Sequence, residues 1–298
     1  MTRLRVIAPA KINWTLEALR IRPDGYHDLQ SVLQTIDLHD VITLSDADDI
    51  ELVLSGDAAT LSGEAPERNL AYRAAVALRE RAGVRRGVRI ELEKRVPIAA
   101  GLGGGSSDAA AVLRGCNVLW EAGQPDANLI EIAGEIGSDP PFFVVGGTAA
   151  ISGRGDVVEA LADAVAARLL LATPPVQHRG EKTAAMFAAL SPSEFTEGDA
   201  TLGVREAVAS GDRIVDEAMM NVFERVTTRM QPATERAMDA LRAQDLVPHL
   251  AGSGPSFFVL LAGDADGDAL SGRVRELGFE SRVVRTLSRA DALRIEEL

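Results

Sequence analysis

The sequence predicts an α+β protein of two domains. Its 298 residues are enough for a sizeable core, and strand-like and helix-like stretches alternate irregularly rather than in a βαβ rhythm. A tight-turn tetrapeptide, Gly153-Arg154-Gly155-Asp156, opens a second half of similar mixed character. The expected division is 1–155 and 156–298.

In order, "RLRVIAPAKINWTLEAL", "SVLQTIDL" and "DVITLS" read as short strands, joined by turn chemistry such as Pro23-Asp24-Gly25. "NLAYRAAVALRERAG" places Leu70, Ala74, Ala77 and Leu78 on one helical face, with Gly83 just past its end. "GVRIELEKRVP" alternates as a strand. After it, Ala109, Val112, Leu113, Cys116 and Leu119 recur at helical spacing until Gly123. "NLIEIAGEI" reads as a helix ending at Gly137, and "FFVVGGTAAI" as a buried strand. Beyond the turn, "ATLGVREAVAS" and "ATERAMDALRA" are expected helices, "PSFFVLLAG" and "SRVVRTL" strands.

Composition narrows the function. With 46% apolar and 25% charged residues the chain is ordinary and globular, and one cysteine, Cys116, supports neither a disulfide framework nor a thiolate zinc cluster. A net charge of −13 without a Lys/Arg cluster argues against nucleic acid. Lys11 interrupts the first apolar run too early for a signal peptide, and no segment approaches the roughly 20 apolar residues of a membrane span. The expectation is a cytoplasmic monomer or homodimer that binds a small molecule, with no nucleic-acid or membrane partner.

The stretch "VPIAAGLGGGSSDAAAVLRG", residues 96–115, carries the strongest chemical signal. A strand, a glycine-rich turn and a helix start in succession form an anion site. First-turn N–H groups have no helical partner, the dipole is positive there, and glycines let backbone approach phosphate oxygens. Ser106 and Ser107 are placed to cap the helix or to donate hydroxyls to the ligand. A Walker loop requires lysine where Gly105-Ser106 stands. A dinucleotide fingerprint requires a third glycine where Ser106 stands. Both common phosphate motifs therefore fail.

"PIAAGLGGGSSDAA" resembles the P-x-x-x-G-L-G-S-S-A-A signature of the galactokinase, homoserine kinase, mevalonate kinase and phosphomevalonate kinase (GHMP) superfamily. The "GGGSSDAA" form is similar to the branch acting on 4-diphosphocytidyl-2-C-methyl-D-erythritol. "APAKINWTLEALRIRPDGYHDLQSV" resembles that branch's opening motif, "IGSDPPFFVVGGTA" its G-A-D-x-P-F motif, and "LAGSGPSFF" the third superfamily motif. These matches run in order from residue 8 to about 258 and are specific in combination. The resemblance implies a two-domain GHMP-kinase fold. Its first domain would be like ribosomal protein S5 domain 2 with a left-handed βαβ crossover, its second a ferredoxin-like α/β sandwich. It also implies ATP, with Mg2+ carried by the nucleotide, and a substrate bearing a cytidine diphosphate group.

Phosphoryl transfer to an alcohol needs the phosphates held, a group to take the hydroxyl proton, and a charge to stabilise the transferring group. By the resemblance Asp139 is the base and Lys11 its electrostatic partner; a strand-edge lysine and a loop-capping aspartate are the plain alternatives. Nucleotide contacts are expected from Pro97, Ala100, Gly101, Leu102, Gly103, Gly104, Gly105, Ser106 and Ser107. Asn69 and Lys94 match positions near the adenine, where Lys94 also reads as a solvated strand-end lysine. Tyr26 and His27 suit a pyrimidine, one stacking and the other reading an edge, although a hairpin with a half-exposed tyrosine fits too. Phe187 and Thr183 align with an aromatic and a polar contact of the family, with a core position open for Phe187. Asn13 is placed to meet the erythritol or its phosphate linkage, and Gly252, Ser253 and Gly254 to steer the substrate.

Metal ligands are not readable. Trp14 and Ala251 depart from the usual leucine and serine, and "MNVFERV" resembles the family's N-D-L-E stretch with its central pair replaced, so Asn221 and Glu224 receive no role. Two alternatives remain: a homoserine or mevalonate-type kinase, and a non-catalytic nucleotide sensor.

Overall fold

Two long antiparallel strands, β1 (Arg3–Ile21) and β2 (His27–Ala47), organise the first half of the chain. The computed structural model describes residues 2–56, 65–176, 182–263 and 265–298. β3 (Ile50–Gly56), helix α1 (Leu70–Ala82) and β4 (Gly87–Lys94) follow as a βαβ unit whose strands pair in parallel. Helices α2 (Gly104–Leu119), α3 (Asp126–Ile136) and α4 (Pro140–Val145) then lead into the hairpin of β5 (Thr148–Gly153) and β6 (Val157–Ala160). β5 pairs with the first part of β2 and β4 with the last part, so one strand serves two neighbours.

The second half contributes β7 (Arg168–Thr173), α5 (Lys182–Ala188), α6 (Asp199–Ser210), the short β8 (Met220–Asn221), α7 (Glu224–Met230) and α8 (Pro232–Arg242). It closes with β9 (His249–Leu250), β10 (Phe257–Leu260), α9 (Gly267–Glu276), β11 (Glu280–Arg285), α10 (Arg289–Ala292) and β12 (Ile295–Glu297). A second sheet runs β11-β7-β10-β9, while β8 and β12 return to pair with β1. The expected mixed α+β architecture holds.

β1 is a shared wall. Its early residues Val6 and Ala8 pack into the core that contains α2, whereas Ala10, Ile12 and Trp14 join a core against Leu169, Leu171 and Phe258 of the second sheet. Between Pro9 and Ala10 its register with β2 shifts, as a bulge does when it bends a strand pair. Side chains alternate along a strand, so Lys11 and Asn13 face away from Ile12 and Trp14.

Three readings need correction. "SVLQTIDL" and "DVITLS" are one strand, because Asp40 at their junction is buried and bonded rather than turning. "FFVVGGTAAI" divides into α4 and β5: Pro140 and Pro141 occupy the first helical turn, and Gly146 and Gly147 break the chain at φ of 64° and 65°. Helix α2 ends at Leu119, before Gly123. Among the described residues no helix is long and apolar enough to cross a membrane.

Candidate active site

The glycine run is where two cavities meet. β4 ends at Lys94, the chain turns, and α2 begins at Gly104 with Gly103 as its left-handed cap at φ 73°. Gly101 is left-handed as well, at φ 83°. Space also demands glycine at both positions. A Cβ on Gly103 would lie 2.7 Å from the Phe143 ring, and one on Gly101 would collide with the Ala251 carbonyl.

On one side lies a cavity of about 330 Å³ that brings together Asn69, Lys94, Pro97, Ala100, Gly101, Gly103, Gly104, Gly105 and Ser106, with Leu70, Leu92 and Asp108. A Cβ on Gly105 would meet only Leu70, at 3.7 Å, which leaves this side of the first turn open to a ligand. The Ser107 hydroxyl is buried without a partner. Leu102 is a core residue, contributing its carbonyl to the Lys11 backbone N–H at 3.0 Å rather than lining the cavity. Asn69 caps α1, its side-chain oxygen accepting the Ala71 N–H at 2.9 Å.

Lys94 is no solvated strand end. It is buried, donating to Asp40 and, at 2.7 Å, to Asp108. Burial alone would lower its pKa, but the two carboxylates together raise it. Asp40 also accepts the backbone N–H groups of Arg95 and Val96 at 2.6 and 2.8 Å.

On the other side a cavity of about 220 Å³ brings together Lys11, Asn13, Asp139, Thr183, Phe187, Gly252 and Ser253, and Gly101 and Gly103 line it too. The Lys11 ammonium donates to Asn13 Oδ1 at 2.6 Å, and Asn13 Nδ2 donates to Ser31 Oγ at 3.0 Å. Burial pushes Lys11 below the ordinary lysine pKa, and the negative charge of Asp139 acts in opposition. Asp139 is exposed at the cap of α4, so it stands between two helices and not, as expected, between a helix and a strand.

Gly252 completes the wall. At φ 56°, its Cβ would lie 2.9 Å from Lys11 Nζ and 2.8 Å from the Gly101 carbonyl oxygen. Asn221 holds this second turn by donating to the Leu250 and Gly252 carbonyls, both at 2.8 Å. Glu224 accepts the Leu250 N–H at 2.9 Å. Sequence reasoning gave neither residue a role; the shared "N…E" letters of the divergent motif were the available signal. Thr183 and Ser253 bond through their hydroxyls at 2.9 Å, and Gly254, behind them, stays off the cavity wall.

Tyr26 and His27 stand at the rim rather than on the wall. His27 stacks on Phe187 at 5.2 Å and 25°, and burial lowers its pKa, which favours the neutral ring. Tyr26 is 57% exposed, with the Arg154 guanidinium 4.9 Å over its ring. Arg154 also lines the cavity, a role hidden in a tetrapeptide that sequence reading treats only as a turn. Phe187 is partly buried and lines the cavity, while residues 178–181 of its stretch lie outside the described residues. Trp14 packs edge-on against Phe258 at 5.9 Å, on the face of β1 away from the cavity.

Residues 69–147 match the model of the GHMP kinases N-terminal domain. A 4-diphosphocytidyl-2-C-methyl-D-erythritol kinase of Exiguobacterium sibiricum is 41% identical, over 95% of this chain and 97% of that one. One of Listeria monocytogenes is 40% identical over 87% of each. A crystal structure of a 4-(cytidine 5'-diphospho)-2C-methyl-D-erythritol kinase superposes with a TM-score of 0.77 at 31% identity, covering 95% of this chain and 98% of the other. A homoserine kinase of Cytophaga hutchinsonii reaches a TM-score of 0.74 at 17% identity, over 99% and 97%, and so shares the fold. With near-complete relatives above one-third identity and a glycine cradle joined to a lysine–aspartate cavity, the chain belongs to the 4-diphosphocytidyl-2-C-methyl-D-erythritol kinase family of the GHMP kinases.

Proposed function

We propose that the protein transfers the γ-phosphoryl group of ATP to the 2-hydroxyl of 4-diphosphocytidyl-2-C-methyl-D-erythritol, giving the 2-phosphate and ADP for isoprenoid precursor synthesis. The observation that carries this reading is the pair of cavities meeting at Gly101 and Gly103, with Lys11 and Asp139 on the wall of one. Phosphates held over the start of α2 would face an alcohol in the neighbouring cavity.

Asp139 takes the hydroxyl proton as the new P–O bond forms and the bond to the ADP oxygen breaks. Its exposure at the cap of α4 leaves the carboxylate free to act. The Lys11 ammonium, fixed by Asn13, faces the negative charge of the transferring group. Asn13 and Ser31 position the erythritol, and Gly252 keeps the space beside Lys11 clear of side chains. Phe187, His27 and Tyr26 form the cytosine end, with Arg154 facing the diphosphate. Thr183 and Ser253 close the wall between these ends.

No group of three or more Asp, Glu, His or Cys suited to a metal occurs among the described residues, so no side chain is assigned to Mg2+. The ion is proposed to arrive with the nucleotide. We assign residues 1–155 to nucleotide binding and 156–298, through the Gly252 turn and Phe187, to completing the substrate cleft, in a cytoplasmic enzyme.

The test is ADP release and product mass in the presence of each candidate alcohol. Turnover is expected on the cytidyl substrate; turnover on homoserine or mevalonate alone overturns the assignment, and so does ATP binding without any turnover. Phe187→Ala is expected to raise the KM for the cytidyl substrate about tenfold, the worth of one stacked base, leaving the KM for ATP in place. An unchanged KM would remove Phe187 from the site.

A further inference from the structure

The turn that carries Gly252 is held from behind by side chains that line neither cavity. Asn221, at the end of β8, is buried, and its Oδ1 accepts the Phe223 N–H at 3.0 Å. That bond fixes which way the amide faces, so Nδ2 is the atom that meets the Leu250 and Gly252 carbonyls, both at 2.8 Å. Gln231, buried between α7 and α8, donates in the same way to the Ser253 carbonyl at 3.1 Å. The two residues so held, Gly252 and Ser253, are on the wall of the substrate cavity.

Gly252 lies against Lys11: a Cβ there would stand 2.9 Å from Nζ. Its carbonyl is nonetheless no acceptor for the ammonium, which donates to Asn13 Oδ1 at 2.6 Å. In a planar trans peptide the carbonyl and the following N–H point in opposite directions. While Asn221 holds the Gly252 carbonyl, the Ser253 N–H is turned to the other side, and no group among the described residues accepts from it. A glycine at φ 56° offers little resistance to rotation of that peptide. Released from Asn221, a buried carbonyl beside a buried ammonium with N–H donors to spare would turn to it. The exchange would divert Lys11 from the transferring group. We propose that Asn221 is a positioning residue for phosphoryl transfer: by holding the Gly252 carbonyl it keeps the Lys11 ammonium free for the group in transit. The inference rests on the proposed role of Lys11 but not on the identity of the alcohol. Asp139, at the cap of α4, and Arg154, in the turn between β5 and β6, are the charged groups that share the cavity with Lys11.

The test compares variants on the alcohol that the wild type phosphorylates. A wild type without turnover fails the proposed function and this inference together, whereas the results below fail this inference alone. Asn221→Leu keeps the size, adds no charge and removes the donor. It is expected to lower kcat about 10²-fold, the scale of a misplaced reacting group, with the KM for ATP within about twofold. Asn221→Ala is expected to act in the same direction and stands in where the leucine prevents folding. The alkaline limb of the kcat/KM profile separates positioning from structure. Burial holds Lys11 below the ordinary lysine pKa, and activity falls as the ammonium loses its proton. A Gly252 carbonyl turned to Lys11 stabilises the ammonium, so in both Asn221 variants the limb is expected at higher pH than in the wild type. A merely loosened fold lowers kcat and leaves the limb in place. Gln231→Met frees only the Ser253 carbonyl, and its limb is expected at the wild-type pH. A kcat within about threefold of the wild type in both Asn221 variants, a limb that does not move in them, or the same displacement in Gln231→Met overturns the proposal.

Discussion

Asp139→Asn is expected to lower kcat by about three orders of magnitude while the affinity for ADP stays within a factor of about two. The asparagine keeps size and position but cannot accept the hydroxyl proton. Its carboxyl makes no capping bond to α4 and lies exposed, so the exchange should cost little stability. Single-turnover phosphate transfer reads the chemical step, and titration with ADP reads the nucleotide site separately. Turnover within tenfold of the wild type would remove Asp139 from the role of base. Lys11 then would have to act without a proton acceptor beside it, which the geometry of the cavity does not otherwise provide for.

Lys94→Met should produce the largest loss of stability, about 3–5 kcal/mol, because it leaves a buried carboxylate without its counter-charge. The loss is read as a fall in the urea midpoint at unchanged slope. Adding Asp40→Asn is expected to return part of it, since the stranded charge is then removed as well. A fall below about 1 kcal/mol in the single variant would show that the cluster is not held by its charges. The same pair of variants distinguishes a structural lysine from one that merely touches ligand. A pure contact residue would change nucleotide affinity and leave the midpoint in place.

The glycine run and its flanking strand and helix were legible because their chemistry is local: each glycine and each apolar repeat stands beside the residues that explain it. Lys11 and Asp139 were legible as candidates only through motif order, since 128 positions separate them in the chain and no pattern within either stretch points to the other. Asp40 shows the limit. It opens "DVITLS", and nothing local shows that it is buried or joins that stretch to "SVLQTIDL", because its partner Lys94 is 54 residues away and pairing cancels the penalty of burying it. "FFVV" failed for a different reason. Phe142, Phe143 and Val144 are all buried, so the helix has no polar face and shows no period by which to distinguish it from a strand. The two prolines before it were the better guide. Asn221 and Glu224 stayed silent because they act on backbone carbonyls and amides of a distant turn, which carry no residue identity.

Gly101 and Gly103 belong to both cavities at once, and neither has a side chain to interpose. The partition between the proposed donor and acceptor compartments is therefore a single thickness of main chain. A compound that joined a purine-like group to a pyrimidine-like group through a short tether across that partition would occupy both compartments and compete with either ligand. Enlarging either residue to resist such a compound would close the passage that the transferred group must use, so escape by substitution at the tether is barred by the same geometry.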